Sequence, residues 1–241
     1  MKILLTGGSG KLGTAISKVF PRSSRPLRRE LDVTDDAGVE KYFSSFRPSI
    51  VIHAAAMTSI RYCEENPSEA WRTNVEGTSN IIRACEKLPR RPYLVYISTA
   101  CVFRGDRGNY LETDTPYPKN FYALTKLIAE QLVLESHLSK NLVVRTNFVA
   151  REKWPYARAF SDRYGTYLFA DDVAEALREV ITSRTTGIVH VAGEKKMSMY
   201  EVARINSPDI RPMTMQDYDG PPLTVDMSMR SVRLKQFKIT V

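Results

Sequence analysis

The first thirteen residues, MKILLTGGSGKLG, place a glycine-rich segment directly after a short apolar run. Gly7, Gly10 and Gly13 have the spacing G-x-x-G-x-x-G, and the segment from Lys11 is typical of the first turn of a helix. Backbone N–H groups at a helix N-terminus, together with the helix dipole, favour a bound phosphate, and glycine lets a pyrophosphate approach the backbone. The motif therefore predicts the first β-α turn of a doubly wound sheet. A glycine turn that only joins a strand to a helix is the alternative.

Short apolar segments alternate with helical patterns along the chain. The segments are rich in Val, Ile and Leu, as expected of buried parallel strands: MKILLT, SIVIHAAA, PYLVYIST and NLVVRT. Between and after them, helices are predicted over residues 11–19, 37–46, 67–88 and 122–138. This alternation predicts an α/β Rossmann fold, with a doubly wound parallel sheet. The second strand, within SSRPLRR, has little apolar signal and a proline, so we expect it to be short.

The pattern changes after Arg145, where aromatic residues follow one another without a clear period. These aromatic side chains either stack on a nucleotide base or sugar or form the core of a small lobe. We expect the second. Asp171 and Asp172 then offer an N-cap for the helix VAEALREVI. GIVHV predicts a further strand, and residues 199–205 predict a short helix.

Net charge of +8 indicates anionic partners. The densest basic run, at residues 22–29, is short, which favours a small phosphate ligand over nucleic acid or a membrane surface; a solvated basic face is the alternative. No apolar stretch is long enough to cross a bilayer, and the N-terminus lacks the apolar core of a signal peptide. Cys63, Cys85 and Cys101 lack metal-type spacing with the histidines, so we expect reduced thiols, no metal site and a cytoplasmic protein.

Tyr122 and Lys126 have the i, i+4 spacing that places two side chains on one face of a helix. A cation beside the phenol would lower the pKa of the tyrosine, so that it exchanges a proton with a carbonyl or alcohol near neutral pH. Ser98 and Thr99 end the strand YLVYIST, and the carboxyl ends of strands in doubly wound sheets bind ligands. Asn74 lies in a predicted helix, where it is either a buried polar group or exposed to solvent.

Six motifs occur in order and together resemble an extended short-chain dehydrogenase/reductase: TGGSGKLG, LDVTD, HAAA, NVEGT, IST before V-F, and YALTK. The chain is most similar to the dTDP-4-dehydrorhamnose reductase branch of that superfamily. The resemblance covers residues 1–149 best, with 171–177 and the GIVHVAGE segment. It implies that Thr99 polarises a substrate carbonyl, that Tyr122 is the acid, and that Lys126 binds the nicotinamide ribose.

From the residues and the resemblance together, the predicted cofactor site is Gly7, Ser9, Gly10, Lys11, Leu12, Gly13, Arg28, Asp32, Val33, Ala54, Ala55, Ala56, Thr58, Ser98, Tyr122 and Lys126. The resemblance places Asp32 and Val33 after a third strand, against the adenine ring. The predicted substrate-binding residues are Thr99, Asn147 and Phe148. We expect an NADP-binding Rossmann domain with the catalytic residues over 1–149 and a small substrate-binding lobe over 150–241, interleaved with the end of the sheet.

The basic second strand bears on the identity of the cofactor. NAD-selective sites place a carboxylate on the ribose hydroxyls at this point, but here Arg28 and Arg29 come first and no acid follows until Asp32. An arginine fits a 2′-phosphate through charge-assisted hydrogen bonds. The sequence therefore predicts NADP(H), with NAD(H) as the alternative.

The chain also departs from the branch. Ala100 and Cys101 replace the acidic and aromatic residues that usually follow the threonine, Arg61 replaces an acid after the alanine run, and the substrate segment is short. We predict an NADP(H)-dependent reductase acting on a ketone, foremost the 4-keto group of a nucleotide-linked deoxysugar. An NAD-dependent nucleotide-sugar epimerase and a non-catalytic regulatory subunit are the alternatives. By analogy with extended members, helices 67–88 and 122–138 would form a homodimer.

Overall fold

The computed structural model describes residues 1–240, which contain twelve strands and eight α-helices. The strands are β1 (Ile3–Thr6), β2 (Ile50–His53), β3 (Tyr93–Thr99), β4 (Asn141–Thr146), β5 (Phe148–Val149), β6 (Arg158–Phe160), β7 (Tyr164–Gly165), β8 (Leu168–Phe169), β9 (Gly187–Val191), β10 (Met197–Ser198), β11 (Arg211–Met213) and β12 (Asp226–Met227). The helices are α1 (Lys11–Val19), α2 (Asp36–Phe46), α3 (Ile60–Glu65), α4 (Pro67–Trp71), α5 (Gly77–Lys87), α6 (Phe121–Leu134), α7 (Ala170–Thr182) and α8 (Met199–Asn206). Short 3-10 turns cover Ala100–Val102 and Met215–Asp217.

The central sheet has five parallel strands in the order β1-β2-β3-β4-β9. Because all five run in the same direction, their carboxyl ends meet at one edge of the sheet. Apolar side chains on the two faces form two separate clusters, one beneath α1 and α7 and the other beneath α2, α5 and α6. Helices thus cover both faces, and the predicted doubly wound α/β fold is confirmed.

The segment predicted as the second strand is reduced to a single bridge. Ser24 pairs with Leu4, the Ser24 N–H donates to the Ile3 carbonyl and the Leu5 N–H donates to the Ser24 carbonyl, each at 2.8 Å. Pro26 has no N–H to continue the ladder, and the segment around it is rich in arginine. The third strand expected before Asp32 is also absent, since residues 25–35 contain only turns, at 28–30 and 33–34, and irregular structure.

Three predicted helix boundaries were wrong. The helix expected over 67–88 is divided by a π-helical turn, Arg72–Glu76, that joins α4 to α5. The helix expected over 122–138 ends at Leu134. The helix near Asp171 begins at Ala170 with Phe169 as its N-cap, and Asp172 instead reaches back from within the first turn to accept the Phe169 N–H at 3.0 Å. No helix in residues 1–240 is both long and apolar enough to cross a membrane.

Short strands in the C-terminal part of the chain lie beside a third apolar cluster, most of whose buried members come from residues 63–123. β7 pairs with β10 and β12, β6 with β11, and β5 with β8. Among the aromatic residues of this region, Phe160, Tyr167 and Phe169 are buried, as expected of a core, whereas Tyr156 is 69% exposed. α7 packs against α1, and β9 is the last strand of the central sheet. Val241, the last residue of the predicted lobe, lies outside the described residues.

Candidate active site

The glycine turn after β1 is closed by contacts that admit no side chain. Gly7 has φ +71°, and a Cβ there would lie 2.6 Å from the Ala55 nitrogen. A Cβ on Gly13 would lie 2.1 Å from the Gly7 carbonyl oxygen. Gly10 is the N-cap of α1, and no side chain caps that helix. The first N–H groups of α1 are therefore left without a side-chain acceptor. The turn has the features of a pyrophosphate cradle at a helix N-terminus.

A groove of about 270 Å³ runs from this turn along the carboxyl edge of the sheet. It is lined by Thr6, Gly7, Gly8, Ser9, Gly10, Pro26, Arg28, Leu31, Asp32, Val33, Ala54, Ala55, Ala56 and Thr73. Nine of the predicted cofactor residues are therefore brought together, and the groove also includes five that were not predicted for it: Thr6, Gly8, Pro26, Leu31 and Thr73. Of the remaining predicted residues, Lys11 lines a neighbouring cavity with Ser9, Leu12 and Gly13 are buried beneath the turn, and Thr58 is exposed beyond the alanine run.

Arg28 and Asp32 face each other at the far end of the groove. The Arg28 Nε donates to the Asp32 carboxylate at 3.0 Å, and the Thr34 N–H and hydroxyl donate to the other carboxylate oxygen at 2.9 Å. Partial burial raises the pKa of Asp32, but these hydrogen bonds outweigh it and leave the pKa below its usual value. The groove thus offers both an arginine and an ionised carboxylate, while Arg29 does not line it.

Thr99 and Tyr122 come together at the carboxyl end of β3. The Asn120 side chain caps α6 by accepting the Ala123 N–H at 2.9 Å, which places Tyr122 in the first turn. Thr99 Oγ1 accepts the Cys101 N–H at 3.1 Å, so its own proton can be donated elsewhere. Burial raises the pKa of Tyr122 above its ordinary value and the nearby Cys101 adds to this, while hydrogen bonding with Thr99 lowers it. The predicted lowering of this pKa is therefore wrong for the chain by itself, because burial is the larger effect.

Lys126 lies one turn further along α6 and is 3% exposed. Its Nζ donates to the Ile97 carbonyl at 2.8 Å and lies 4.1 Å from the centre of the Tyr96 ring. Burial lowers the pKa of Lys126 to about 7, against the opposing effect of the Glu130 carboxylate. The ammonium group is thus held against the end of β3, with a charge that changes near neutral pH.

Ser98 was predicted to contact the cofactor, but its hydroxyl instead donates to the Glu130 carboxylate. Successive side chains of a strand point to opposite faces, so Ser98 and Thr99 cannot both face the same ligand. Glu130 also accepts from Arg145 through Nε at 3.1 Å and through Nη2 at 2.7 Å, and both residues are almost fully buried. Sequence reasoning missed this ion pair, although an arginine inside the apolar strand NLVVRT was a usable signal.

Asn74 is buried and joins the cofactor side of the site to α6. Its Oδ1 accepts the Met57 N–H at 2.8 Å, and its Nδ2 donates to the Met57 carbonyl and to the Thr125 hydroxyl, both at 3.0 Å. The buried polar alternative is the one observed. Because Thr125 directly precedes Lys126, this residue ties the loop after β2 to the helix that carries both predicted catalytic groups.

The predicted substrate residues Asn147 and Phe148 follow β4 and lie on the side of the C-terminal lobe. The amide nitrogen of Asn147 and the hydroxyl of Tyr167 are buried with no geometric hydrogen-bond partner among the described residues. Burial raises the pKa of Tyr167 to about 12. Phe148 packs against the core of the sheet. The two groups lie together in the interior beside the apolar cluster around Tyr122, and the Asn147 side chain offsets part of the rise in the Tyr167 pKa.

Known proteins match this chain, in sequence and in fold, over most of its length. The family described as the RmlD substrate binding domain matches residues 1–219. The chain belongs to this family. dTDP-4-dehydrorhamnose reductase of Mycobacterium tuberculosis is 30% identical over 84% of this chain and 73% of that protein. Methionine adenosyltransferase 2 subunit beta of Pongo abelii is 27% identical over 92% of this chain and 77% of that protein.

A solved structure agrees with the fold of this RmlD family member. The dTDP-4-dehydrorhamnose reductase of Bacillus anthracis, crystallised in complex with NADP, superimposes with a TM-score of 0.89 at 24% identity. The match covers 99% of this chain and 96% of that structure. At this identity the likeness establishes the Rossmann-type fold, and the family membership rests on the sequence matches.

Proposed function

We propose that this chain is an NADP(H)-dependent reductase that delivers a hydride to the 4-keto group of a nucleotide-linked deoxysugar, as in dTDP-4-dehydrorhamnose. The observation that carries the proposal is the grouping of Thr99, Tyr122 and Lys126 around the end of β3. This is the same carboxyl edge of the sheet that bears the glycine groove, although none of the three lines the groove itself. A cradle for a dinucleotide and a hydroxyl, phenol and ammonium set are what carbonyl reduction requires. Membership of the RmlD family and 30% identity to a named reductase support the same reaction.

The groove fits a dinucleotide on the chemistry of its own residues. Gly7, Gly10 and Gly13 let the turn close tightly and leave the N-terminus of α1 without a side-chain cap, open to a pyrophosphate, and Arg28 stands where a 2′-phosphate would lie. When bound, NADPH supplies the hydride. The Bacillus anthracis reductase is in complex with NADP, which supports NADP(H) as the preferred cofactor, while NAD(H) is the less favoured alternative.

Side chains of this protein would supply the proton and stabilise the negative charge that carbonyl reduction requires. As a hydride reaches the carbonyl carbon, negative charge develops on the oxygen, and the Thr99 hydroxyl would donate to that oxygen. Tyr122 would then give its proton to the same oxygen, which completes the alcohol. Lys126, when charged, would stabilise the phenolate that remains and hold the ribose hydroxyls. Asn147 and Phe148, at the end of β4, would lie on the substrate side of these groups.

A second function has one observation in its favour. Methionine adenosyltransferase 2 subunit beta matches this chain over a larger share of its length than the reductase does. Ala100 and Cys101 also replace the acidic and aromatic residues expected after the catalytic threonine. On this alternative the chain binds a dinucleotide but serves as a subunit of another enzyme. The epimerase alternative has less support, since Arg28 lines the groove and the named relative is a reductase.

The deciding experiment follows NADPH oxidation at 340 nm with dTDP-4-dehydrorhamnose as substrate. We expect turnover with the native chain, and Tyr122→Phe should abolish turnover while it leaves NADPH affinity within about twofold. Cofactor binding without turnover in the native chain would favour the subunit alternative. Absence of both would contradict the proposal.

Three finer assignments belong to this proposal. We infer a division between a cofactor-binding part, residues 1–149, and a substrate-binding part, residues 150–241. A homodimer is inferred because Tyr62, Trp71 and Leu124, on α3, α4 and α6, are each more than one-third exposed. A cytoplasmic location is inferred from Cys63, Cys85 and Cys101, which are free thiols. Light scattering of the purified chain tests the dimer.

A further inference from the structure

A cavity of about 600 Å³ lies at the amino ends of the strands, on the opposite edge of the sheet from the cofactor groove. It is lined by Met1, Lys2, Arg47, Pro48, Ser49, Leu88, Pro89, Arg90 and Arg184. These residues come from the segments that directly precede β1, β2, β3 and β9. Its volume is more than twice that of the groove and falls in the range of small-molecule sites.

The lining carries four positive side chains and no negative one. Within residues 1–240, Lys2, Arg47, Arg90 and Arg184 form no salt bridge, and no Asp or Glu contributes to the wall. Lys2 donates to the Phe46 carbonyl at 3.1 Å and Arg47 donates to the Ser44 carbonyl at 3.1 Å, which leaves further N–H groups on both. Four like charges around one cavity repel each other unless an anion lies between them.

Two of these arginines also occupy backbone positions that disfavour them. Arg47 and Arg184 have φ values of 49° and 56°, in the left-handed region that glycine or asparagine normally fills after a helix. Arg47 follows α2 and Arg184 follows shortly after α7, so the two positions are far apart in sequence but line one cavity. A strained conformation retained twice at one place indicates a use for these side chains.

We propose that this cavity is a second anion site, which binds an organic polyphosphate with three or four negative charges, such as a nucleoside triphosphate. The four cations match the charge of a phosphate chain, and arginine binds phosphate oxygens through paired hydrogen bonds. Pro48, Leu88 and Pro89 supply an apolar wall for the organic part. The site accounts for part of the net charge of +8 that the cofactor groove does not use. It does not depend on the proposed reductase activity.

A purely structural role makes a different prediction. Arginine near the carboxyl end of a helix interacts favourably with the helix dipole, and α2, α5 and α7 each end one or two residues before a residue that lines this cavity. If that were the only use of Arg47 and Arg184, their replacement would lower the melting temperature and leave anion binding unchanged. A ligand site predicts the opposite, because glycine relieves the left-handed conformation while it removes the phosphate contacts.

The test is isothermal titration of the full chain with inorganic tripolyphosphate and with ATP, without divalent cations. We expect both to bind, and the double variant Arg47→Gly/Arg184→Gly to lose at least about 30-fold in affinity with an unchanged or higher melting temperature. Lys2→Ala/Arg90→Ala, which changes no left-handed residue, should lose affinity to a similar degree. Arg28→Ala in the cofactor groove and Arg204→Ala on α8 are the matched controls and should retain this binding.

Tighter binding of ATP than of tripolyphosphate would show that the apolar wall contacts the organic part, and equal binding would assign the affinity to the phosphate chain. Either result supports the site. No binding to the native chain at millimolar concentration would overturn the proposal. Binding that survives both double variants would overturn it as well, and its loss in Arg28→Ala would then place the anion in the cofactor groove.

Discussion

Lys126 and Glu130 lie one helical turn apart on α6, and both are sealed from solvent. Burial lowers the pKa of Lys126 to about 7, and the Glu130 carboxylate is the charge that opposes this effect. Glu130 is in turn held by Arg145 and Ser98. The charge of the group that would bind the ribose is thus lowered by burial and maintained in part by Glu130, which does not itself line the groove.

This relationship predicts how activity depends on pH. Because the pKa of Lys126 is lowered to about 7, the ammonium form dominates below that pH and is lost as the pH rises through it. We therefore expect kcat/KM for ketone reduction to fall above pH 7, since kcat/KM reports the pKa values of the free enzyme. Glu130→Gln should move this limb to lower pH by about one unit. Measurement of kcat/KM from pH 5.5 to 9 would check both expectations. Glu135→Gln, at the exposed residue that follows α6, is the control. If the fall in kcat/KM occurs at the same pH in Glu130→Gln, the role of Glu130 is contradicted.

The buried ion pair predicts coupled effects on stability. Glu130→Gln leaves the Arg145 guanidinium without its carboxylate in a sealed interior, which should cost about 3–5 kcal/mol of the free energy of unfolding. The double variant Glu130→Gln/Arg145→Met removes both charges and should cost less than the sum of the two single variants by at least about 2 kcal/mol. Urea denaturation measures all three. Additive losses would mean that the two side chains do not interact as observed.

Neighbouring hydroxyls at the end of β3 should differ in their contribution to catalysis. Thr99→Val removes the donor to the developing oxyanion, so kcat should fall by about 10²–10³ with little change in NADPH affinity. Ser98→Ala removes only a hydrogen bond to Glu130, so it should lower stability by about 1–2 kcal/mol and change kcat less than about threefold. Steady-state kinetics with thermal denaturation separates the two. A larger kcat effect for Ser98→Ala would reverse the assignment.

Arg28 should distinguish the two cofactors. It lines the groove and pairs with Asp32, whereas Arg29 lies outside it. Arg28→Ala should raise KM for NADPH by about tenfold and leave KM for NADH nearly unchanged, because only NADPH carries the 2′-phosphate. Arg29→Ala is the matched control and should change neither value. Equal effects of Arg28→Ala on both cofactors would argue against a 2′-phosphate contact.

The glycine turn predicts a difference between two apparently similar substitutions. A Cβ on Gly13 would lie 2.1 Å from the Gly7 carbonyl oxygen, so Gly13→Ala forces the turn apart and should cost about 1–3 kcal/mol. A Cβ on Gly10 meets the same oxygen at 3.3 Å, and Gly10→Ala should cost less than about 1 kcal/mol. Urea unfolding compares them. Similar losses would show that the turn relaxes around the added methyl group.

Much of the fold could be predicted because its signals are local. The run ILLT followed by Gly7, Gly10 and Gly13 predicts a strand, a turn and a helix start from neighbouring residues alone. The short segment around Pro26 could not be placed so well, since whether it pairs with β1 depends on backbone groups rather than on side-chain pattern. One bridge at Ser24 is all that forms.

The candidate site was harder to predict where the chemistry of a side chain depends on its burial. The spacing of Tyr122 and Lys126 places them on one face, but spacing says nothing about how far both lie from water. Burial reverses the expected direction of the Tyr122 pKa shift. The partner of Ser98 was equally hidden, because Glu130 is 32 residues away and only the packing of α6 on β3 brings them together.

The π-helical turn at Arg72–Glu76 has a further consequence for Asn74. Such a turn is wider than an α-helical one by one residue, and it sets the direction in which that amide leaves the helix. Deletion of a single residue within the bulge would restore regular winding but rotate the amide by about 100°, away from Met57 and Thr125. The π-helical turn therefore lets one asparagine of this helical segment contact both the loop after β2, at Met57, and α6, at Thr125.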